Sequence, residues 1–226
     1  MIQALVQAEA KAAQLFDTAE QRHFFVGNQT EKELNERLYQ LAEELFGIKK
    51  YWHKRIVRAG ANTLLPYREN PENRMITADD ILFVDFGPVF EEWEADYGRT
   101  YVIGADPIKL KLKEDTEKAW LMGQQWMHAN WEQLTGAAVY AYTKNLAQEL
   151  GWEFGHLHCG HLIGQFPHER IQGEEEKNYL HPNNTIRLAE ADAQGRPRYW
   201  IYEMHLVNKS LQIGAFVERL VSKVPV

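Results

Sequence analysis

Apolar residues recur at helical spacing from the start of the chain. Ile2, Leu5, Val6, Ala13 and Phe16 fall on one face, which predicts a helix over roughly residues 2–24. A second helix follows a polar gap. Leu34, Leu38, Leu41 and Leu45 form its stripe, Thr30 with Glu33 forms a capping box ahead of it, and Gly47 is placed to end it. The period then changes. Residues 81–100, "ILFVDFGPVFEEWEADYGRT", read as a β-hairpin with its turn centred between residues 90 and 91, which sets Asp85 directly opposite Asp96. Two more helical stretches are expected over about 112–133 and 136–150, with Gly151 as a stop. The last third is strand-like with one long polar loop. In "YWIYEMHLV", Trp200, Tyr202, Met204 and Leu206 share one face, and Ile201, Glu203, His205 and Val207 share the other. Helix pair, strands, helix pair, strands is an α+β pattern, and no composition shift marks a linker, so one domain over 1–226 is expected.

Composition narrows the function. The chain has 226 residues, 45% of them hydrophobic and 25% charged, which is enough to bury a sizeable core. A net charge of −7 gives no electrostatic support for nucleic-acid binding. Cys159 is the single cysteine, which excludes an internal disulfide and a cysteine-rich zinc site and fits a reducing cytoplasm. No run of 18 apolar residues exists to span a membrane. Glu9 and Lys11 interrupt the apolar pattern at the amino terminus, so it does not read as a signal peptide.

Candidate chemistry starts with the hairpin acids. Directly opposed side chains have Cβ atoms ~4.5–5.5 Å apart. Two carboxylates at that distance need a shared proton, a cation such as Arg99, or a metal ion. "HCGHLIGQFPH" adds His158, His161 and His168. Glu190 in "IRLAEAD" and Glu203 in "WIYEMHLV" lie among apolar neighbours, where an unpaired carboxylate is costly. Four carboxylates and an imidazole, without thiolates, suit two divalent ions, with Mn²⁺, Co²⁺ or Fe²⁺ favoured over structural zinc.

These motifs together resemble the metallopeptidases of family M24, which include methionine aminopeptidase, aminopeptidase P and prolidase. The stretch from "TEKEL" to "YEMHLV" carries the resemblance, with "VDFGPVFEEWEADYGRTY", "GHLIG" followed by His168, and "YEMHLV" as its motifs. It implies the pita-bread fold, a curved antiparallel sheet flanked by helices. It also implies Asp85, Asp96, His161, Glu190 and Glu203 as ligands of two divalent ions (Mn, Co, Fe or Zn). Glu190 would double as general base, and His168 would support the oxyanion or the substrate amide. The implied activity is hydrolysis of a small peptide near its free amino terminus, of the aminopeptidase or Xaa-Pro dipeptidase type. The expected partners are that peptide and at most a second copy in a homodimer, with neither nucleic acid nor membrane. A non-catalytic peptide-binding module and a hydrolase of a non-peptide small amide are the alternatives.

The chain departs from the pattern at several places. Glu190-Ala191 stands where the family has Glu-Pro, and Tyr67 stands where it has a substrate-facing histidine, for which His53 in "YWHKR" is the other source. The amino-terminal domain of aminopeptidase P and prolidase is not expected here. Tyr67, Trp93, His158 and Arg198 are the candidate substrate contacts.

Overall fold

The computed structural model describes residues 1–65 and 67–222. The chain opens with α1 (Ile2–Gln21), β1 (Gln29–Thr30), α2 (Glu31–Phe46), β2 (Ile56–Ala59) and β3 (Met75–Ile76). Then come β4 (Asp80–Phe86), β5 (Val89–Phe90), β6 (Trp93–Glu94) and β7 (Tyr97–Ile103). The second half adds α3 (Pro107–Asn130), α4 (Gly136–Glu149), β8 (Glu153–Phe154), β9 (Leu162–Ile163), β10 (Tyr199–Asn208) and β11 (Ile213–Leu220). All four expected helices form. The Thr30–Glu33 capping box is present, and Gly47 is left-handed with φ 68°. Asp106 caps α3 and Pro107 opens it, five residues ahead of the expected start.

One seven-stranded sheet organises the molecule, in the order β2-β4-β7-β11-β10-β8, with β9 paired to β10. Every pair in it is antiparallel. The alternation read from the sequence decides its two faces. Leu82, Val84 and Phe86 of β4 pack with Tyr97 and Tyr101 of β7 into a core shared with α1 and α2. Trp200, Tyr202, Met204 and Leu206 of β10 and Ala215 and Val217 of β11 pack into a second core with α3 and α4. Trp200 and Tyr202 are wholly buried, and a side chain of that size contributes on the order of 2–3 kcal/mol by leaving water. Their polar atoms are paired: Trp200 Nε1 donates to Leu188 O at 3.2 Å, and Tyr202 Oη sits 3.0 Å from Thr143 Oγ1. The opposite face carries Phe83, Asp85, Glu203, His205, Phe216 and Glu218, which line a cavity.

The hairpin register differs from the expected one. Phe90 pairs with Trp93, so the turn centres on Glu91 and Glu92, and Glu91 takes a left-handed φ of 59°. One residue of shift moves the partner of Asp85 by two, from Asp96 to Gly98. Asp85 and Asp96 therefore stay on one face but lie diagonally. Gly98 is there because a Cβ would come within 2.6 Å of the Phe216 ring. The directly opposed acids are instead Glu203 and Glu218, on β10 and β11.

Candidate active site

The face of the sheet that carries no α-helix opens into a cavity of about 630 Å³. Four carboxylates meet at its floor: Asp85 from β4, Asp96 from the residue before β7, Glu203 from β10 and Glu218 from β11. Each is buried, with at most 6% exposure. His161 joins them from the segment before β9. Its Nε2 lies 3.1 Å from Asp96 Oδ2, 3.3 Å from Glu218 Oε1 and 3.9 Å from Glu203 Oε1. His53 reaches the same acids from the segment before β2, with Nε2 3.1 Å from Asp96 Oδ1 and 3.6 Å from Asp85 Oδ1. His158 and His156 stand behind Glu203, at 3.5 Å and 3.8 Å. Three sets of side chains are close enough to hold a cation: His53, Asp85 and Asp96; Asp96, His161 and Glu218, which shares Asp96 with the first; and His156, His158 and Glu203.

The electrostatics follow from burial and crowding. Burial pushes the Asp85 carboxyl up to about 7, against the opposing pull of His53. Glu218 is also held well above the usual range, by burial and by Asp96, Asp85 and Glu203. Asp96 moves down, because His53 and His161 outweigh its burial. Glu203 moves down because His158, His156 and His161 do the same. Burial alone would lower His53, but Asp96 and Asp85 raise it to about 9. Four carboxylates in this space cannot all be charged unless further cations join them.

Several expected site residues lie here and others do not. His161 and His168 line the cavity with Asp85, Asp96, Glu203 and His158. Tyr67 stands at its rim, 41% exposed. Glu190 is outside: its carboxylate is exposed on the polar loop and lies 3.8 Å from Arg198 Nη1. Arg198 also leaves the site, donating to Glu190 O at 3.2 Å. Trp93 packs against two of the cores and does not line the cavity. Arg99 does not bridge the aspartates. It pairs with Asp17 at 2.7 Å on the helix-covered side.

Glu218 is the residue that the sequence reading missed. "GAFVERLV" alternates like a strand and puts an acid on the Gly214–Phe216 face, a signal equal to that of Glu203. Glu94 is the second omission. It is buried, accepts the backbone N–H groups of Gly164 and His168, and lies 2.7 Å from His168 Nδ1. A carboxylate on Nδ1 leaves the other ring nitrogen of His168 for the cavity. Arg68 and Arg170 line the cavity where Arg198 does not.

Comparison with known proteins agrees with the fold. The model of metallopeptidase family M24 matches residues 3–203. A Mycoplasma pneumoniae protein provisionally named an Xaa-Pro aminopeptidase is 26% identical over 135 residues, covering 58% of this chain and 37% of that protein. An Xaa-Pro dipeptidase from Bacillus anthracis superposes with a TM-score of 0.74 at 23% identity, over 98% of this chain and 61% of the other. A dipeptidase from Pyrococcus horikoshii gives 0.75 at 22% identity, over 98% and 59%. A methionine aminopeptidase from Thermotoga maritima gives 0.66 at 15% identity and is covered to 92% of its own length. The chain thus spans about 60% of the dipeptidase structures. With the pita-bread architecture and the acid–imidazole floor in place, the chain belongs to metallopeptidase family M24, a family of metal-dependent enzymes.

Proposed function

We propose that the chain is a two-ion peptidase cleaving beside a free amino terminus, of the Xaa-Pro aminopeptidase or dipeptidase kind. One observation carries the reading: Asp85, Asp96, His161, Glu203 and Glu218 converge on a single buried floor. The set fits divalent cations. Its donors are oxygens and imidazoles without a thiolate, as hard and borderline ions prefer. Asp85 Oδ1 is buried without a hydrogen-bond partner among the described residues, an expense that an ion removes. Asp85, Asp96 and Glu218 would hold one ion, and Asp96, His161, Glu203 and Glu218 the other. When bound, the ions supply Lewis-acid polarisation of the scissile carbonyl and a water acidic enough to attack near neutral pH.

The chain's own residues supply the remaining chemistry. Glu203 takes over the base role expected of Glu190. Its Oε1 faces His161 and its Oε2 faces His156, so one oxygen can serve the floor while the other accepts a water proton. His168, braced by Glu94, stabilises the oxyanion that develops at the carbonyl. The aromatic and aliphatic wall of Trp52, Ile56, Phe83 and Phe216 excludes water from the bound peptide. Arg68 and Arg170 give the cavity two cations for a peptide carboxylate, which favours short substrates. Proline at the second position comes from the relatives' names. The single buried thiol, Cys159, suits a reducing cytoplasm.

The test is turnover by the purified chain loaded with Mn²⁺, Co²⁺ or Zn²⁺, on Xaa-Pro dipeptides, Xaa-Pro tripeptides, proline-free peptides and their N-acetylated forms. Hydrolysis should require the ion and stop on chelation or N-acetylation. Loaded protein that cleaves none of them overturns the reading and leaves the peptide-binding module.

A further inference from the structure

His53 lies outside the five-residue floor, yet it is prepared in the same way as His161. His161 Nδ1 lies 2.8 Å from the Leu162 carbonyl, and its Nε2 is 3.1 Å from Asp96 Oδ2. His53 Nδ1 lies 2.7 Å from the Lys54 carbonyl, and its Nε2 is 3.1 Å from Asp96 Oδ1. Each ring donates Nδ1–H to the carbonyl of the next residue. That anchor fixes the tautomer with the Nε2 lone pair directed at the acids, as it does for histidines that bind metals. Asp96 is flanked by two such rings, one on each carboxylate oxygen.

The surrounding chain holds His53 there. Trp52 N–H donates to Gly87 O and Trp52 Nε1–H donates to Ala95 O, both at 2.9 Å, so the segment is laced across the acid-bearing hairpin. Gly87 leaves the space for the ring: a Cβ there would come within 2.1 Å of His53 Cδ2. The ring's side chain is only 7% exposed. At 3.6 Å its Nε2 is too far to hydrogen-bond Asp85 Oδ1, the oxygen left without a partner.

We propose that His53 is a direct ligand of the cation held between Asp85 and Asp96, so that each of the two ions has one imidazole. The proposal rests on the two-ion reading above. A neutral imidazole adds a donor to that site without changing its charge balance. A protonated His53 would instead occupy the site as its resident cation and leave room for one metal ion.

X-ray absorption on wild-type protein loaded with two equivalents of Zn²⁺ decides between these. Outer-shell scattering of one imidazole per zinc is the expected result, and half an imidazole per zinc overturns the assignment. Co²⁺ titration of wild type and His53→Gln, followed by visible absorption and calorimetry, gives the second readout. The variant should keep one tight site and lose at least tenfold in affinity at the other, with a changed Co²⁺ spectrum. Two unchanged sites in the variant remove His53 from the ligand set and leave the two-ion reading standing. A single ion in wild type that becomes two in the variant identifies His53 as the resident cation, against the proposal. Absence of any ion from wild type overturns the two-ion reading and the proposal together. If His53→Gln does not fold, the absorption measurement on wild type still decides.

Discussion

The two hairpins that wall the cavity carry their acids differently. In β4–β7, Asp85 faces Gly98 and reaches Asp96 only diagonally. In β10–β11, Glu203 and Glu218 are directly opposed. Like charges directly opposed destabilise an antiparallel pair, whereas a glycine partner and a diagonal neighbour soften the repulsion. Each hairpin nevertheless ends with one acid raised and one lowered. Asp85 and Glu218 rise through burial, while His53 and His161 hold Asp96 down, and His158 leads the histidines that hold Glu203 down. The shared lesson is that strand pairing supplies the converging carboxylates and imidazoles decide which of them keep a charge. The β10–β11 pair, with no diagonal relief, depends most on added cations.

The largest expected effect tests that dependence. Glu218→Gln should abolish one tight metal site and lower peptide hydrolysis by more than about 100-fold, the scale that loss of an outer-shell partner alone can reach. Glu190→Ala should leave both within about twofold, because its carboxylate is exposed at the surface. Equal losses in the two variants would mean that the polar loop closes over the site and that the β10–β11 pair is not the source of the last ligand.

That contrast also marks how far the sequence could be read. Element types were legible because helical stripes and strand alternation are local. The Asp85–Asp96 spacing and "GHLIG" likewise sit within single short segments. The alternation around Glu218 was as legible as that around Glu203, but its pairing with Glu203 across the hairpin turn at 209–212 is not local and was missed. Glu190 drew attention for the opposite reason: apolar neighbours in "IRLAEAD" imply burial, but that segment forms turns and leaves the carboxylate in water. The register of the first hairpin was missed by one residue because Glu91 adopts a left-handed conformation that no glycine or asparagine announces.

A second prediction compares the hairpins through pH. In metal-free protein, Asp85 has its folded value raised to about 7 and His53 to about 9. A raised value means that the folded state holds its proton more tightly than the unfolded one. The contribution of Asp85 is complete below its unfolded value near 4 and fades through 7, and that of His53 is complete below about 6.5 and fades through 9. Metal-free protein should therefore lose stability steadily from pH 6 to 9 in denaturant melts. Saturating each ion site at 100 times its dissociation constant should add about 2.7 kcal/mol. A flat profile for metal-free Asp85→Asn below pH 7 locates the first part of the loss in β4–β7. A profile unchanged by that substitution assigns it to Glu218 and the other hairpin.

Glu94 belongs to neither pair of acids, yet its effect separates positioning from ion binding. It braces His168 from the short β5–β6 hairpin. Glu94→Gln should lower kcat on the order of tenfold, part of the ~10²–10⁴ available from a positioned proton donor. Metal affinity and the Co²⁺ spectrum should stay at wild-type values. A parallel loss of metal would place the Glu94–His168 unit in support of the floor instead of the oxyanion.

The smallest effect is expected at the outer end of the second hairpin, away from the floor. Glu9 of α1 accepts a hydrogen bond from the Leu220 backbone N–H and so ties the first helix to β11. Burial raises its carboxyl to about 7, only partly countered by that bond and by Arg219. The group favours the folded state fully below about 4.5, and the benefit is lost as pH rises through 7. Glu9→Gln keeps an acceptor for Leu220 and removes the titration. It should raise stability at pH 8 by on the order of 1 kcal/mol, the residue being only partly covered, and change nothing at pH 4. The β4–β7 hairpin has its own helix contact at Arg99–Asp17, which is exposed on the aspartate side and worth little. Asp17→Asn should therefore leave the melting pH profile in place. If Asp17→Asn moved it and Glu9→Gln did not, α1 would be anchored through the first hairpin and the second would be free to adjust around its opposed glutamates.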